Sequence, residues 1–250
     1  MTARRVGILG GTFDPIHYGH LDVAEAAERA LGLTRVYVVT ANVPPHRRQP
    51  LASPFQRYAM VVLAVGHRPG WRASDVELRL GGPSYTVDTL ARFCDRGYRR
   101  EELFFILGAD AFAEIGTWHD YPHILDAANF AVVSRPGMSV HALPDRLPTL
   151  APRMTRDATP QSPAPDTSAP AAVSDGDFAT WIVLIDAPTA DVSGTAIRAR
   201  CQAGESIADL VPPMVQQYIE QHGLYGSKSP GRRASDTSRS STAGRLHGQN

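Results

Sequence analysis

Several short runs of this chain, Val6 to Leu9, Val36 to Thr40, Leu103 to Leu107, Phe130 to Val133 and Trp181 to Ile185, are apolar or β-branched at nearly every position. A strand of that kind offers no polar face to water and has to be covered on both sides. Segments of helical periodicity, beginning with Leu21 to Leu31, lie between the runs. Strand and helix in repeated alternation imply parallel pairing with helices above and below, so the expected fold class is α/β, a doubly wound parallel sheet. Trp71 to Leu78 reads as a further strand and Thr86 to Asp95 as a helix. Ser53 and Pro54, a cap residue followed by a proline at the first helical position, open another helix over FQRYAMVVLAV. In such folds ligands sit beyond the carboxyl ends of the strands. The loops there are the places to look for chemistry.

Basic and acidic side chains balance at 25 each, whereas a protein whose main partner is nucleic acid or an anionic membrane carries a clear basic excess. Neither partner is expected. Cys94 and Cys201 stand far apart and outside any CxxC pair, which argues against a disulfide framework or a thiolate zinc site. No stretch approaches about 18 consecutive apolar residues, and MTARRVGILGG lacks the apolar centre of a signal peptide, so a cytoplasmic protein is expected.

The neutral total hides an asymmetry. Residues 227–250 hold Lys228, Arg232, Arg233, Arg239 and Arg245 against Asp236 alone, making +4 there and −4 over residues 1–226. With six serines and no aromatic residue, this tail cannot bury enough surface to offset its ordering entropy, and disorder is expected. Its RRAS string reads either as a phosphorylation or partner site or as inert solvated chain. Eight of the 20 prolines fall between Pro136 and Gly176, where a disordered insertion over 137–179 is expected. The organisation read from the sequence is one domain, 1–226, carrying that insertion and followed by the tail. A homo-oligomer is compatible with it.

The loop after the first apolar run reads GGTFDPIHYGH, from Gly10 to His20, and leads into a helix. Its glycines allow backbone amides to approach an anion, and the helix terminus adds exposed N–H groups and a positive dipole end. The spacing matches neither G-x-x-x-x-G-K-[ST] nor G-x-G-x-x-G. His17 and His20, three apart at a helix start, can face one cavity. Alternatively one of them caps or packs. A metal site needs further ligands and no cluster of Cys, His and carboxylates supplies them.

The string resembles the HxGH signature of the nucleotidylyltransferase superfamily. That superfamily's late Ser-Ser-Thr-x-x-Arg motif has a counterpart in SGTAIR, Ser193 to Arg198, after the last apolar run and at a helix start. NVPPHR (Asn42 to Arg47), GPSYTVDTL (Gly82 to Leu90), ILGADAFAEIGTWHDY (Ile106 to Tyr121) and VVSRPG (Val132 to Gly137) resemble the bacterial nicotinate-nucleotide adenylyltransferases within it. The resemblance spans residues 6–136 and 181–224. It departs at Gly194, where the second serine is missing, and at Arg47, where many relatives have Lys.

The resemblance implies a Rossmann-like nucleotidylyltransferase fold and adenylyl transfer from ATP, with Mg²⁺, to nicotinate mononucleotide. It implies His17, His20 and Arg198 as catalytic, His20 as an imidazolium donor to the phosphates. ATP would contact Gly10, Gly11, Thr12, Phe13, His20, Gly108, Asp110, Ser193, Thr195 and Arg198. The mononucleotide would contact Arg47, Ser84, Tyr85, Thr86, Trp118 and Arg135, with Thr86 at a helix start reading the nicotinate carboxylate and Trp118 stacking on the ring. Nicotinamide mononucleotide or phosphopantetheine as acceptor stays open at this point, as does a nucleotide-binding regulatory module that does not turn over.

Overall fold

The structure, a computed structural model, describes residues 4–44, 49–79, 81–157 and 180–226. These form a seven-stranded sheet in the order β3-β2-β1-β4-β5-β7-β6. The strands are β1 (Val6–Gly11), β2 (Arg35–Thr40), β3 (Trp71–Ser74), β4 (Leu103–Gly108), β5 (Asn129–Val133), β6 (Met154–Thr155) and β7 (Ile182–Ile185). Every pairing between them is parallel. The chain runs outward from β1 through β2 to β3, then crosses back to place β4 on the other side of β1. This reversal makes the crevice beyond the carboxyl ends of β1 and β4 the switch point where such sheets bind ligands.

The helices are α1 (Tyr18–Leu31), α2 (Pro54–Val65), α3 (Thr86–Asp95), α4 (Ala109–Phe112), α5 (Leu143–Arg146), α6 (Gly194–Ala203) and α7 (Pro213–Gln221). Alternate strand residues feed two cores. Leu9, Val38, Ile106, Val133 and Val183 pack with Leu21, Met60, Ile197 and Val215 from α1, α2, α6 and α7. Ile8, Phe105, Leu107, Val132 and Leu184 face the opposite way, against Leu90 and Phe93 of α3 and Phe112 of α4. The apolar runs of the sequence are thus two interleaved faces, each covered. The doubly wound parallel sheet is as expected.

Three local expectations change. The strand read over Trp71 to Leu78 ends at Ser74, because Asp75 O accepts the N–H groups of Leu78 at 3.0 Å and Arg79 at 3.2 Å and the chain folds into a turn. The first helix starts at Tyr18, earlier than the apolar pattern indicates. The segment read as a disordered insertion over 137–179 is folded in its first part: Val140, Leu143 and Leu150 are buried, and β6 pairs with β7. Its prolines Pro144 and Pro152 sit at helical first-turn positions, where a missing N–H costs nothing. Arg153 holds the segment down, donating to Leu125 O at 2.8 Å and Thr180 Oγ1 at 2.7 Å. Residues 158–179 of the insertion and the tail 227–250 lie outside the described residues. Among the described residues no helix is long and apolar enough to cross a membrane.

Candidate active site

The loop leaving β1 is shaped by close approach. Phe13 is buried with φ +51, a left-handed conformation that only surrounding contacts can enforce on a bulky residue. Its ring lies where a Cβ on Gly11 would come within 2.8 Å, so position 11 has to be glycine. Asp14, next along, is a junction: Oδ2 accepts the Leu51 N–H at 2.9 Å and Oδ1 the Ala52 N–H at 3.1 Å. Those bonds tie the loop to the start of α2.

The two imidazoles stack with centroids 3.7 Å apart, and the edge of Phe13 meets His20 at 5.0 Å. His20 Nδ1 accepts the His17 backbone N–H at 3.3 Å. With Nδ1 accepting that bond, Nε2 is the ring nitrogen left to donate. His17 is buried, and burial, reinforced by the Arg135 guanidinium, lowers its pKa from 6.5 to about 3. His17 is therefore neutral at neutral pH, and its buried Nδ1 has no partner among the described residues. Arg135 donates to Gly19 O at 2.9 Å and Val192 O at 3.4 Å. A Cβ on Gly19 would meet that guanidinium at 2.9 Å and Ala190 O at 3.1 Å, which is why the glycine of H-x-G-H cannot carry a side chain.

The late motif arrives from β7. Ser193 caps α6, its hydroxyl accepting the Ala196 N–H at 3.2 Å. Arg198, one turn in, donates through one guanidinium nitrogen to the backbone carbonyl of Asp14 at 2.6 Å and through the other to Thr195 Oγ1 at 3.1 Å. Gly194 explains itself here: a Cβ would lie 3.1 Å from both the Arg198 guanidinium and Asp14 O. Its absence lets the arginine seat on the early loop.

Both motifs line one open cavity of about 680 Å³ at the switch point. Gly10, Gly11, Thr12, Phe13, His17, His20, Gly108, Asp110, Arg135, Ser193, Thr195 and Arg198 all contribute to its wall. The wall places Arg135 among the residues read as contacting ATP. Ser84, Tyr85, Thr86 and Trp118 are not part of that wall. They lie apart from it: Ser84 Oγ accepts the Asn42 N–H at 2.8 Å, Tyr85 stands just before α3 without a side-chain capping bond and stacks on His119 at 4.1 Å, and Trp118 sets its half-buried ring edge-on to Phe105. Arg47 lies outside the described residues. Among the described residues no group of three or more His, Cys, Asp or Glu is arranged to hold a metal ion. A cation here would rest chiefly on phosphate oxygens, with Asp110 the exposed carboxylate on the wall.

Sequence reasoning missed two supports of this site. Arg57 is fully buried and donates to Thr12 O, Ala41 O, Asn42 O and Ala52 O at 2.6, 2.7, 2.9 and 3.2 Å. It clamps the loops after β1 and β2 to α2. Glu77 is buried beside α3, accepts the Thr89 hydroxyl, and has its carboxyl pushed above the usual range by burial. Neither residue type signals burial from a one-dimensional pattern; only the helical phase of Arg57, on the same face as Met60, Val61 and Ala64, hints at it.

The cytidylyltransferase-like family pattern matches residues 8–200. A solved structure titled as Plasmodium falciparum nicotinic acid mononucleotide adenylyltransferase complexed with NaAD superposes with TM-score 0.64 at 16% identity, covering 89% of this chain and 98% of that one. At that identity the likeness concerns the fold. A relative from Escherichia coli O6:H1 named nicotinate-nucleotide adenylyltransferase is 38% identical over 219 residues, 87% of this chain and 97% of its own. Another, from Cronobacter sakazakii, named "Probable nicotinate-nucleotide adenylyltransferase", is 40% identical over 217 residues, 86% of this chain and 93% of its own. With identity of that order over nearly the whole length of such relatives, the chain belongs to the nicotinate-nucleotide adenylyltransferases.

Proposed function

We infer that this chain transfers the adenylyl group of ATP to nicotinate mononucleotide, giving nicotinate adenine dinucleotide and pyrophosphate for NAD biosynthesis. The observation that carries the reading is the convergence of GGTFDPIHYGH and SGTAIR on one cavity at the sheet's switch point. A phosphate oxygen of the mononucleotide attacks the α-phosphorus, a new P–O bond forms, and the bond to the β-phosphate oxygen breaks. The attacking phosphate has a second pKa of about 6 and is already ionised at neutral pH, so no general base is needed. The work left is alignment and stabilisation of charge on the departing pyrophosphate.

The β1 loop amides and the N-terminus of α1 receive the nucleotide phosphates. His20 donates from Nε2, held in orientation by the His17 backbone and ring. Arg198, Ser193 and Thr195 take the β and γ phosphates by charge-assisted and hydroxyl bonds. Mg²⁺ accompanying ATP would rest on the nucleotide's phosphate oxygens, with Asp110 the wall's carboxylate beside them, and would neutralise phosphate charge there. Thr86 with the α3 amides, Ser84, Tyr85, Trp118 and Arg47 serve the mononucleotide. Donors facing the nicotinate carboxylate leave the amide of nicotinamide unpaired, which gives selectivity. Arg135, braced on two carbonyls, serves the phosphates from the His17 side.

The test is pyrophosphate release with ATP and Mg²⁺, offering nicotinate mononucleotide, nicotinamide mononucleotide and phosphopantetheine in parallel. Strong preference for the first is expected, with a fall of at least about 10²-fold in turnover for a folded His20→Ala protein, the scale of a lost transition-state donor. Preference for another acceptor, or an unaffected His20→Ala, defeats the reading.

A further inference from the structure

We propose that Tyr225, in the turn Leu224–Gly226 after α7, is a positioning residue for the nucleotide site and acts through Asp14 on Arg198. It stands 211 residues from Asp14, yet its hydroxyl donates to Asp14 Oδ1 at 2.7 Å in a buried contact. The residue sits at φ +58, a conformation tyrosine takes only when its surroundings enforce it. Leu51 and Ala52 donate backbone N–H groups to the same carboxylate, so Asp14 is held from three directions. Arg198 then seats on the carbonyl of that fixed residue at 2.6 Å, with its guanidinium 3.8 Å from Oδ2. The hydroxyl is a donor throughout the working pH range, because burial and the Asp14 charge push its ionisation far above the ordinary tyrosine value. A charge-assisted O–H···O⁻ bond is short and directional, suited to fixing a carboxylate's rotation. Removing it leaves the Asp14 carboxylate to the Leu51 and Ala52 N–H groups alone, which loosens the loop residue whose carbonyl seats Arg198 for the triphosphate. The chain's two sequence signatures are thus joined by a third element, from a C-terminal turn, that neither signature contains.

The inference rests on the reading of Arg198 as a triphosphate ligand, and the experiment separates the two. ATP and nicotinate mononucleotide are titrated separately, by calorimetry, into the full chain as wild type, Tyr225→Phe, Arg198→Ala and the double variant. Tyr225→Phe is expected to weaken ATP about 5- to 10-fold while changing the mononucleotide less than about twofold, the range of coupling found between residues sharing a network. Arg198→Ala is expected to weaken ATP as well, and Tyr225→Phe to add less than about twofold on top of it. Equal weakening of both ligands, or independent multiplication of the two ATP effects, overturns the proposal in favour of a purely structural tyrosine. An Arg198→Ala protein with unchanged ATP affinity overturns the reading of Arg198 and the proposal with it. Should Tyr225→Phe fail to fold, Asp14→Asn interrogates the other end of the bond and must show the same selective loss of ATP.

Discussion

His17 and His20 are one residue pair with two distinct duties. His20 is half-exposed at the cavity with its tautomer set by a backbone N–H, whereas His17 is buried and neutral beneath it. The buried ring has a measurable cost in acid. In the unfolded chain it titrates near 6.5, in the native protein at about 3, so between those values the unfolded state binds the extra proton. The stability is fully present above about pH 6.5 and declines below it by up to about 1.4 kcal/mol per pH unit from this group alone. Urea unfolding of wild type and His17→Gln between pH 7.5 and 5 should show the variant with a shallower loss. Parallel pH profiles for the two proteins would mean that the ring is not buried in neutral form. From the sequence, the pair was legible as two imidazoles on one cavity. The neutrality of His17 was not, because it depends on burial in the folded protein, reinforced by an arginine 118 residues away.

At the level of elements, α2 shows what a pattern does and does not reveal. Ser53 accepts the Gln56 N–H at 3.3 Å and Gln56 Oε1 accepts the Ser53 N–H at 2.9 Å, a reciprocal cap written in the local string. Six of the seven strands and the helices α1, α2, α3 and α6 were legible for the same reason, that their signals are local, whereas β6, in the proline-rich segment, was not. Arg57 was not, since an arginine on an amphipathic helix ordinarily meets water, and here its acceptors come from two separate loops, those after β1 and β2. Its role makes a definite expectation. Arg57→Met fills the volume but leaves the buried carbonyl of Ala52 and the part-buried carbonyls of Thr12, Ala41 and Asn42 without their donor. A loss of about 3–5 kcal/mol is expected, the scale for breaking a buried charged network by removing one member. Denaturant unfolding should therefore show a lower midpoint with an unchanged slope. A variant within about 1 kcal/mol of wild type would mean that water takes over the guanidinium's bonds. The folded first part of the insertion escaped notice in a related way: its prolines read as disorder, while Val140, Leu143 and Leu150 pack where those prolines begin helical turns.

For the molecule as a whole, function depends on where the sheet brings distant segments together, and the C-terminal boundary of what is needed can be placed between Gly223 and Gly226. Tyr225 reaches the buried Asp14 carboxylate, and the residues beyond Gly226 have the composition of solvated tail. Ending the chain after Gly226 is expected to leave the thermal midpoint unchanged and turnover at 0.15 M salt within about twofold of the full chain, since charges separated by more than about 8 Å are screened there. Ending it after Gly223 removes Leu224 and Tyr225 and should weaken ATP selectively, as Tyr225→Phe does, with an added loss of stability from the core that these two residues help to close. At about 0.01 M salt, where screening reaches only beyond about 30 Å, the shorter of the two deletions exposes a further property. It strips +4 from a body that is −4 over residues 1–226, so a polyanionic substrate meets more repulsion and ATP KM should rise with little change in kcat. A deletion after Gly226 that abolishes turnover at physiological salt would instead make the basic tail part of the site.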